Sequence, residues 1–363
     1  MTMQPQWVLP IREELRLVEP YGAPQLDLPI KLNTNENPYP PQPQVLQAMV
    51  EAARVAVKSI NRYPDRELWQ LRTKLACYLG HDLTPDQVWA ANGSNEVMTQ
   101  LLQAFGGPGR SVLTFVPSYS MYPEYARDTH TAYRTLDRGV DFGVDNAQAL
   151  HMIETWQPDV VVIANPNNPT GTVIDLSVIE PWLNLVRGVV VVDEAYQEFS
   201  KSPSALSLLP RYPNLVVVRT MSKAFAFAGQ RVGYLAASTD IINALRIVRL
   251  PYHLSTITQA VASAALDHAD AMLAQIQHLR ELRDQTIACL RGIGLQVPDS
   301  QANFFLCGPF SNRHAIWELL VDRGILVRET GPDQYLRVSV GTDQQMQSFY
   351  QALTEILSLE RQV

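Results

Sequence analysis

Between Asp86 and Ser238 six short, almost wholly apolar runs recur: QVWAA, SVLTFVPSY, DVVVIANP, GVVVVDEAY, NLVVVRT and VGYLAAS, separated by longer stretches with helical spacing. Runs that are apolar at successive rather than alternate positions suit strands buried on both faces, as in a mainly parallel sheet covered by helices. The pattern predicts a doubly wound α/β domain. Ligands in such sheets gather beyond the carboxyl ends of the strands, so the polar residues closing each run are the first candidates for chemistry.

The flanks read differently. After about Asp267 an amphipathic helical stretch runs to Arg291, followed by FFLCGP, a helix near Arg313 to Arg323, ILVRE, YLRVSVG and a final helix. That order predicts a smaller α+β domain. The proline-rich start, from Leu9 to Pro43, has no sustained periodicity and predicts an extended arm that returns to the small domain or crosses to a partner subunit. The expected division is an arm over 1–43, a large domain over 44–266 and a small domain over 267–363. Two domains suit a chain of 363 residues.

Composition narrows the chemistry. No apolar stretch approaches the roughly 20 residues needed to cross a bilayer, and the opening MTMQPQWVLPIREEL lacks a basic segment followed by an apolar one; a cytoplasmic protein without a membrane partner is expected. A net charge of −7 and a pI near 5.5 argue against a nucleic-acid partner, whose usual footprint is a basic face. The cysteines Cys77, Cys289 and Cys307 lie in apolar stretches without metal-type spacing and read as reduced core residues. The seven histidines form no pair at metal-binding spacing, so no metal site is expected.

NLVVVRT leads into MSKAFAFAGQRVGY, which places Lys223 just past a buried strand. Alone, a lysine there reads as a solvated loop residue. With the hydroxyls of Thr220 and Ser222 beside it and Arg231 downstream, it becomes an amine next to a phosphate grip. That grouping suits a lysine held as a Schiff base by a phosphate-bearing aldehyde cofactor.

GVVVVDEAY ends its run on Asp193, a charge that needs a partner at a buried strand end. The partner is either a protonated pyridine nitrogen, which Asp193 would keep charged so that the ring absorbs electrons, or an arginine or lysine in an ion pair. Tyr196, and Asn168 in IANPNNPTG, are placed to hydrogen-bond a phenolic oxygen on the same ring; the plainer reading of IANPNNPTG is a strand-to-helix turn. In ANGSNEVMTQLLQAF a strand, a glycine turn and a helix follow one another, so the amides of Gly93, Ser94 and Asn95 face a phosphate at a helix N-terminus. Tyr119 in PSYSMY suits stacking on a flat ring or a place in the core.

Taken together, EPYGAPQLDLPIKLNTNENPYP (19–40), RYPD (62–65), NGSNE (92–96), NPNNPTG (165–171), VDEAY (192–196), TMSKAFAFAGQRVGY (220–234), PYHLST (251–256) and YLRVSVGT (335–342) resemble the fold-type I pyridoxal-phosphate aminotransferases. Within them the chain is most similar to the histidinol-phosphate aminotransferases, nearly end to end. The resemblance implies pyridoxal 5'-phosphate as cofactor. Lys223 would be the Schiff-base lysine and proton shuttle, Asp193 would sit on the ring nitrogen, and Asn168 with Tyr196 on the phenolic oxygen. Tyr119 would stack on the ring, while Ser94, Asn95, Thr220, Ser222 and Arg231 would surround the phosphate. Tyr63 would reach that phosphate from the other subunit of a homodimer. Tyr21, Asn168, Arg328 and Arg337 would bind the substrates, histidinol phosphate and 2-oxoglutarate or glutamate. Asn95 stands where aspartate is frequent, and His253 where proline or asparagine is commoner.

The activity this resemblance implies is amino-group transfer between L-histidinol phosphate and 2-oxoglutarate in histidine biosynthesis. Aromatic amino-acid transamination and a lyase such as threonine-phosphate decarboxylase are the alternatives on the same scaffold. A nicotinamide-dependent dehydrogenase would want a GxGxxG turn after a strand, and the sequence has none.

Overall fold

The computed structural model describes residues 9–360; the first eight residues of the expected arm and the last three of the expected small domain lie outside the described residues. Ahead of the main sheet comes a two-residue strand, β1 (Ile30–Lys31). The sheet itself has seven strands: β2 (Val88–Asn92), β3 (Ser111–Val116), β4 (Ala132–Asp137), β5 (Val160–Ala164), β6 (Val189–Asp193), β7 (Leu215–Thr220) and β8 (Val232–Ala237). Their spatial order is β2-β8-β7-β6-β5-β3-β4, with all neighbours parallel except β8, which runs antiparallel to both β2 and β7.

Each of the six apolar runs became a strand, for a reason visible in the packing. Along β5 and β6, Val161, Ile163, Val190 and Val192 enter one core cluster, while Val160, Val162, Val189 and Val191 enter another on the opposite face. Every one is almost fully buried. Burying such a side chain stabilises the fold by roughly 1.5–3 kcal/mol, so a run that spends both faces this way has little freedom to slip or to become a surface helix. The seventh strand, β4, was not anticipated. It lies at the sheet edge, and of AYRTLD only Leu136 is buried, so it carries no continuous apolar run.

A second, three-stranded antiparallel sheet has β12 (Leu336–Ser339) between β9 (Phe304–Cys307) and β11 (Arg328–Glu329). It is packed by the helices Ile276–Gly292, Arg313–Val321 and Asp343–Glu360. The amphipathic stretch expected as one helix from Asp267 is two, Ala269–Leu273 and Ile276–Gly292. The arm returns to this part of the molecule. β1 pairs in parallel with β10 (Ile325–Leu326), the Leu32 amide donates to the Leu326 carbonyl, and the Ser339 amide donates to the Leu32 carbonyl. Only one of the three cysteines is a core residue. Cys307 is buried in β9, whereas Cys77 and Cys289 are exposed, because each lies on the outward face of a helix whose apolar stripe uses other positions.

At the end of β6, Asp193 and the residue after it, Glu194, are sorted to different environments. Glu194 is buried and pairs with the buried Arg219 of β7 at 2.8 Å, and also accepts from the Ser204 hydroxyl and the Ala205 amide. Arg219 reaches Glu198 as well, at 3.2 Å. Removing one partner of such a cluster strands the other charges in the core at a cost of about 3–5 kcal/mol. Arg219→Met should therefore lower the unfolding free energy by about that much in urea titration, with partial recovery in Arg219→Met/Glu194→Gln. A loss below about 1 kcal/mol would mean water or rearrangement solvates the stranded carboxylates.

Candidate active site

The carboxyl ends of β3, β5, β6 and β7 open onto one cavity, closed on its far side by the arm and by β11 and β12. Lys223 lies at its floor. The Lys223 amine donates to the Thr34 carbonyl at 2.9 Å, and no carboxylate pairs with it among the described residues. Burial, then the guanidinium charge of Arg337, lowers its pKa from 10.5 to about 8, against a weaker opposing pull from Glu36.

Asp193 lines the same cavity and is buried. It forms no ion pair with lysine or arginine among the described residues. One carboxylate oxygen accepts from the Tyr122 hydroxyl at 2.8 Å and the other from the Ala195 amide at 3.2 Å. Burial pushes its pKa up to about 6, and these two hydrogen bonds pull it back. The arginine expected as one possible partner went to Glu194 instead. Tyr122, fully enclosed on the helix Tyr122–Asp128, received no role from the sequence. Its signal was its place three residues beyond Tyr119, to whose carbonyl its amide donates across a turn.

The three asparagines of NPNNPTG divide their work. Asn165 bridges to the backbone of Ile174 in both directions, and Asn167 ties Thr170 to the Pro117 carbonyl, so both build the turn. Asn168 faces the cavity, where its amide nitrogen meets the Tyr196 hydroxyl at 3.3 Å and its oxygen accepts from Arg337 at 2.7 Å. Tyr119 also lines the cavity, edge-on to Tyr122 and 3.4 Å from Asn95.

A cup closes one end. The helix Gly93–Phe105 begins without a side-chain cap, leaving its first amides free. Gly93 adopts φ +81°, and a Cβ there would come within 2.5 Å of the Arg231 guanidinium; a Cβ at Gly233 would overlap the Ser94 amide. Glycine at both positions lets the guanidinium and the helix start converge. Ser222 adds its hydroxyl 3.4 Å from Arg231. Thr220 lines the cup, but its hydroxyl is occupied with the Val232 carbonyl and the Ser222 amide.

At the other end Arg328 and Arg337 are directly paired across β11 and β12. Neither has a carboxylate partner among the described residues. Arg328 donates to the Gly22 carbonyl, while the buried Arg337 donates to Asn168 and to the Asn33 carbonyl and keeps its Nε unpartnered. Tyr21, half exposed, sits at the mouth with its hydroxyl 3.0 Å from Ser120. Tyr63 is the one predicted site residue that the chain does not bring to the cavity; it is 81% exposed and stacks on Tyr252 at 4.5 Å. His253 also lies outside the lining. It stacks on Trp89 and bonds the Ala90 carbonyl, so its departure from the family pattern concerns packing beneath the cup. Unanticipated lining residues come from the arm, Asn33, Thr34 and Asn35, and from Ser118 and Ser120.

A buried carboxylate without a cation, a lysine without an anion and a cationic cup at a helix start together fit a flat cofactor bearing a protonated ring nitrogen, an aldehyde and a phosphate. No group of three potential metal ligands occurs among the described residues. The raised Asp193 pKa has a signed consequence for cofactor-free protein. Between its ordinary 3.8 and about 6 the folded state binds more protons at Asp193 than the unfolded state, so this residue's contribution falls as pH rises. Relative to Asp193→Asn, wild-type stability in urea should decline by up to about 3 kcal/mol between about pH 4 and pH 7. A pH-independent difference would mean that the Tyr122 and Ala195 bonds cancel the burial.

Residues 29–353 match the model of the family described as aminotransferase class I and II. A protein of Burkholderia lata called histidinol-phosphate aminotransferase 3 is 54% identical over 358 residues, 97% of each chain. A histidinol-phosphate aminotransferase of Thermobifida fusca is 53% identical over 347 residues, 95% of each chain. The crystal structure of histidinol-phosphate aminotransferase from Sinorhizobium meliloti in complex with pyridoxal-5'-phosphate superimposes with a TM-score of 0.82 at 26% identity, covering 91% of both chains. By matched length and identity alike, this chain belongs to the class I and II aminotransferase family, whose cofactor is pyridoxal phosphate.

Proposed function

We propose that the chain exchanges an amino group between L-histidinol phosphate and 2-oxoglutarate, giving imidazole-acetol phosphate and glutamate, in cytoplasmic histidine biosynthesis. The observation that carries this reading is the pairing of Arg328 with Arg337 directly across two strands, with no carboxylate to neutralise either. Like charges so placed repel unless an anion sits with them. A phosphate ester, with up to two negative charges, suits two guanidiniums better than a single carboxylate does. The names of the relatives agree with that substrate.

Bound pyridoxal phosphate supplies an aldehyde that exchanges between amines and a ring that absorbs electrons released at the substrate carbon. Lys223 would be the amine that holds the aldehyde, and its free amine would move the proton at the reacting carbon. Asp193 keeps the ring nitrogen protonated, and Tyr122 keeps the carboxylate turned to it. Tyr196 and Asn168 would hydrogen-bond the phenolic oxygen, and Tyr119 would stack on the ring. The free amides of Ser94 and Asn95, with Ser222 and Arg231, would hold the phosphate, and Thr220 would brace the Ser222 amide beside it. Arg337, Arg328, Asn168 and Tyr21 hold the substrate.

A homodimer completes this reading, with Tyr63 serving the partner subunit's phosphate cup. The helix Pro43–Val57 presents Leu46, Val50 and Val57 to solvent at helical spacing, close in sequence to Ile60, Tyr63 and Trp69, all exposed and apolar. Such a face suits a subunit interface. The division into a large domain over 44–266 and a small one over 267–363 is part of the same proposal, supported by the two separate sheets.

Two outcomes test the assignment. Because only the neutral amine attacks an aldehyde, the rate of pyridoxal phosphate uptake by the cofactor-free enzyme, followed by visible absorbance, should rise with pH to a midpoint near the Lys223 value of about 8 and vanish in Lys223→Ala. A flat rate profile over pH 6–9 would remove the lowered pKa from the mechanism. In single-turnover experiments, Arg328→Ala should weaken histidinol phosphate by about 2–5 kcal/mol and glutamate much less, while Arg337→Ala harms both. Equal losses in Arg328→Ala, or faster turnover of phenylalanine or threonine phosphate by the wild type, would overturn the substrate reading.

A further inference from the structure

Tyr196 receives two amides at one oxygen. Asn168 approaches from the NPNNPTG turn at 3.3 Å, and Asn35 approaches from the arm at 3.1 Å. Chemistry fixes the direction of both bonds. Arg337 has no acceptor, so the Asn168 atom it meets at 2.7 Å is the oxygen, and Asn168 offers its NH2 to the phenol. The Asn35 backbone amide donates to the Ser339 hydroxyl at 2.8 Å, so that hydroxyl must spend its proton elsewhere. It does so on the Asn35 side-chain oxygen at 2.9 Å, which leaves the Asn35 NH2 for Tyr196.

With two donors on its oxygen, Tyr196 has a single proton to give and, among the described residues, no acceptor in place to take it. Its hydroxyl lines the cavity beside Lys223 and Asp193. Asn35 is itself held from every side. It is 1% exposed, its carbonyl accepts from the buried Asn303, and it adopts φ +54°, a left-handed conformation that asparagine tolerates better than most residues. The partners Ser339 and Asn303 lie 304 and 268 positions away in sequence, in or beside the antiparallel sheet. Ser339 follows Arg337 by two residues on β12, on the same face of that strand. One strand therefore reaches the phenol twice, through Arg337 and Asn168 and through Ser339 and Asn35.

We propose that Asn35 is a positioning residue: clamped by Ser339 and Asn303, it occupies one acceptor site of Tyr196 so that the phenol's only proton is directed at the phenolic oxygen of the cofactor. This rests on the cofactor contacts given under the proposed function, but not on the identity of the substrate. Without Asn35 the hydroxyl is free to rotate away. The phenolic oxygen of the cofactor then keeps more negative charge and binds the neighbouring proton on the Lys223 nitrogen more tightly.

The reading is the pH titration of the visible absorbance of the loaded protein, taken without substrate. In Asn35→Ala its midpoint should move upward by roughly half a unit to one unit, as expected for one lost hydrogen bond. Ser339→Ala, which leaves Asn35 present but unclamped, should move it in the same direction by less. Tyr196→Phe should move it furthest. If Tyr196→Phe shifts the midpoint while Asn35→Ala and Ser339→Ala do not, the Asn35 link is wrong and the cofactor contacts stand. If none of the three shifts it, the link falls together with the placing of Tyr196 on the phenolic oxygen. Should Asn35→Ala fail to fold, Ser339→Ala decides alone: a shifted midpoint supports the link and an unshifted one overturns it.

Discussion

Burial of the central strands on both faces leaves a polar side chain nowhere to go except the strand ends, and the rest of the molecule is arranged around that constraint. Six strands, β2, β3 and β5 to β8, are filled with valine, leucine, isoleucine and other apolar residues through most of their length. Chemistry therefore collects where the runs stop: Asp193 at the end of β6, Thr220 at the end of β7 and Lys223 three residues on, Asn168 just beyond β5, Ser118 and Tyr119 just beyond β3. The sheet supplies position, and the loops at its carboxyl edge supply the polar lining of the cleft.

Electrostatics then separates groups that carry function from groups that hold the fold. Glu194 and Arg219 satisfy one another fully inside the protein, with Ser204 and Glu198 completing the arrangement. Asp193, one residue earlier, has only a phenol and an amide, and Arg337 has carbonyl-type acceptors and an idle Nε. Each unbalanced charge in the cleft is one that the proposed cofactor or substrate would meet with the opposite charge. Stability that a neutralised cleft would provide is given up in exchange for recognition.

Much of this was legible in the linear sequence, and the limits have physical causes. The strands could be read because two-faced burial leaves an unbroken apolar run, while β4 could not because an edge strand need bury almost nothing. That Lys223, Asp193, Asn168 and Arg231 meet at one cavity was legible because each sits within a few residues of a strand end, so local context places it. Tyr122 escaped notice because a buried tyrosine on a helix looks like packing until its hydrogen bond to Asp193 is seen. The arm residues Thr34 and Asn35 escaped for a different reason. Their partners lie up to 304 positions away, and no local pattern encodes such a meeting. Cys77 and Cys289 were misjudged because an apolar neighbourhood in sequence does not say which face of a helix a residue occupies.

The long reach of the arm also orders events in time. Residues 29–37 leave the ribosome long before their partners Asn303, Leu326 and Ser339 are made. Through most of synthesis the strands of the large sheet, all within residues 88–237, can assemble while the arm still lacks its partners in β10 and β12. Its polar NTNEN segment is well suited to that wait, since it offers no apolar surface on which a nascent chain could aggregate. Closing a loop of some three hundred residues comes late because it gives back contacts only after its entropy cost is met. The cleft is therefore finished late in folding, and a truncated chain lacking β12 has neither Arg337 nor the Ser339 half of the clamp on Asn35.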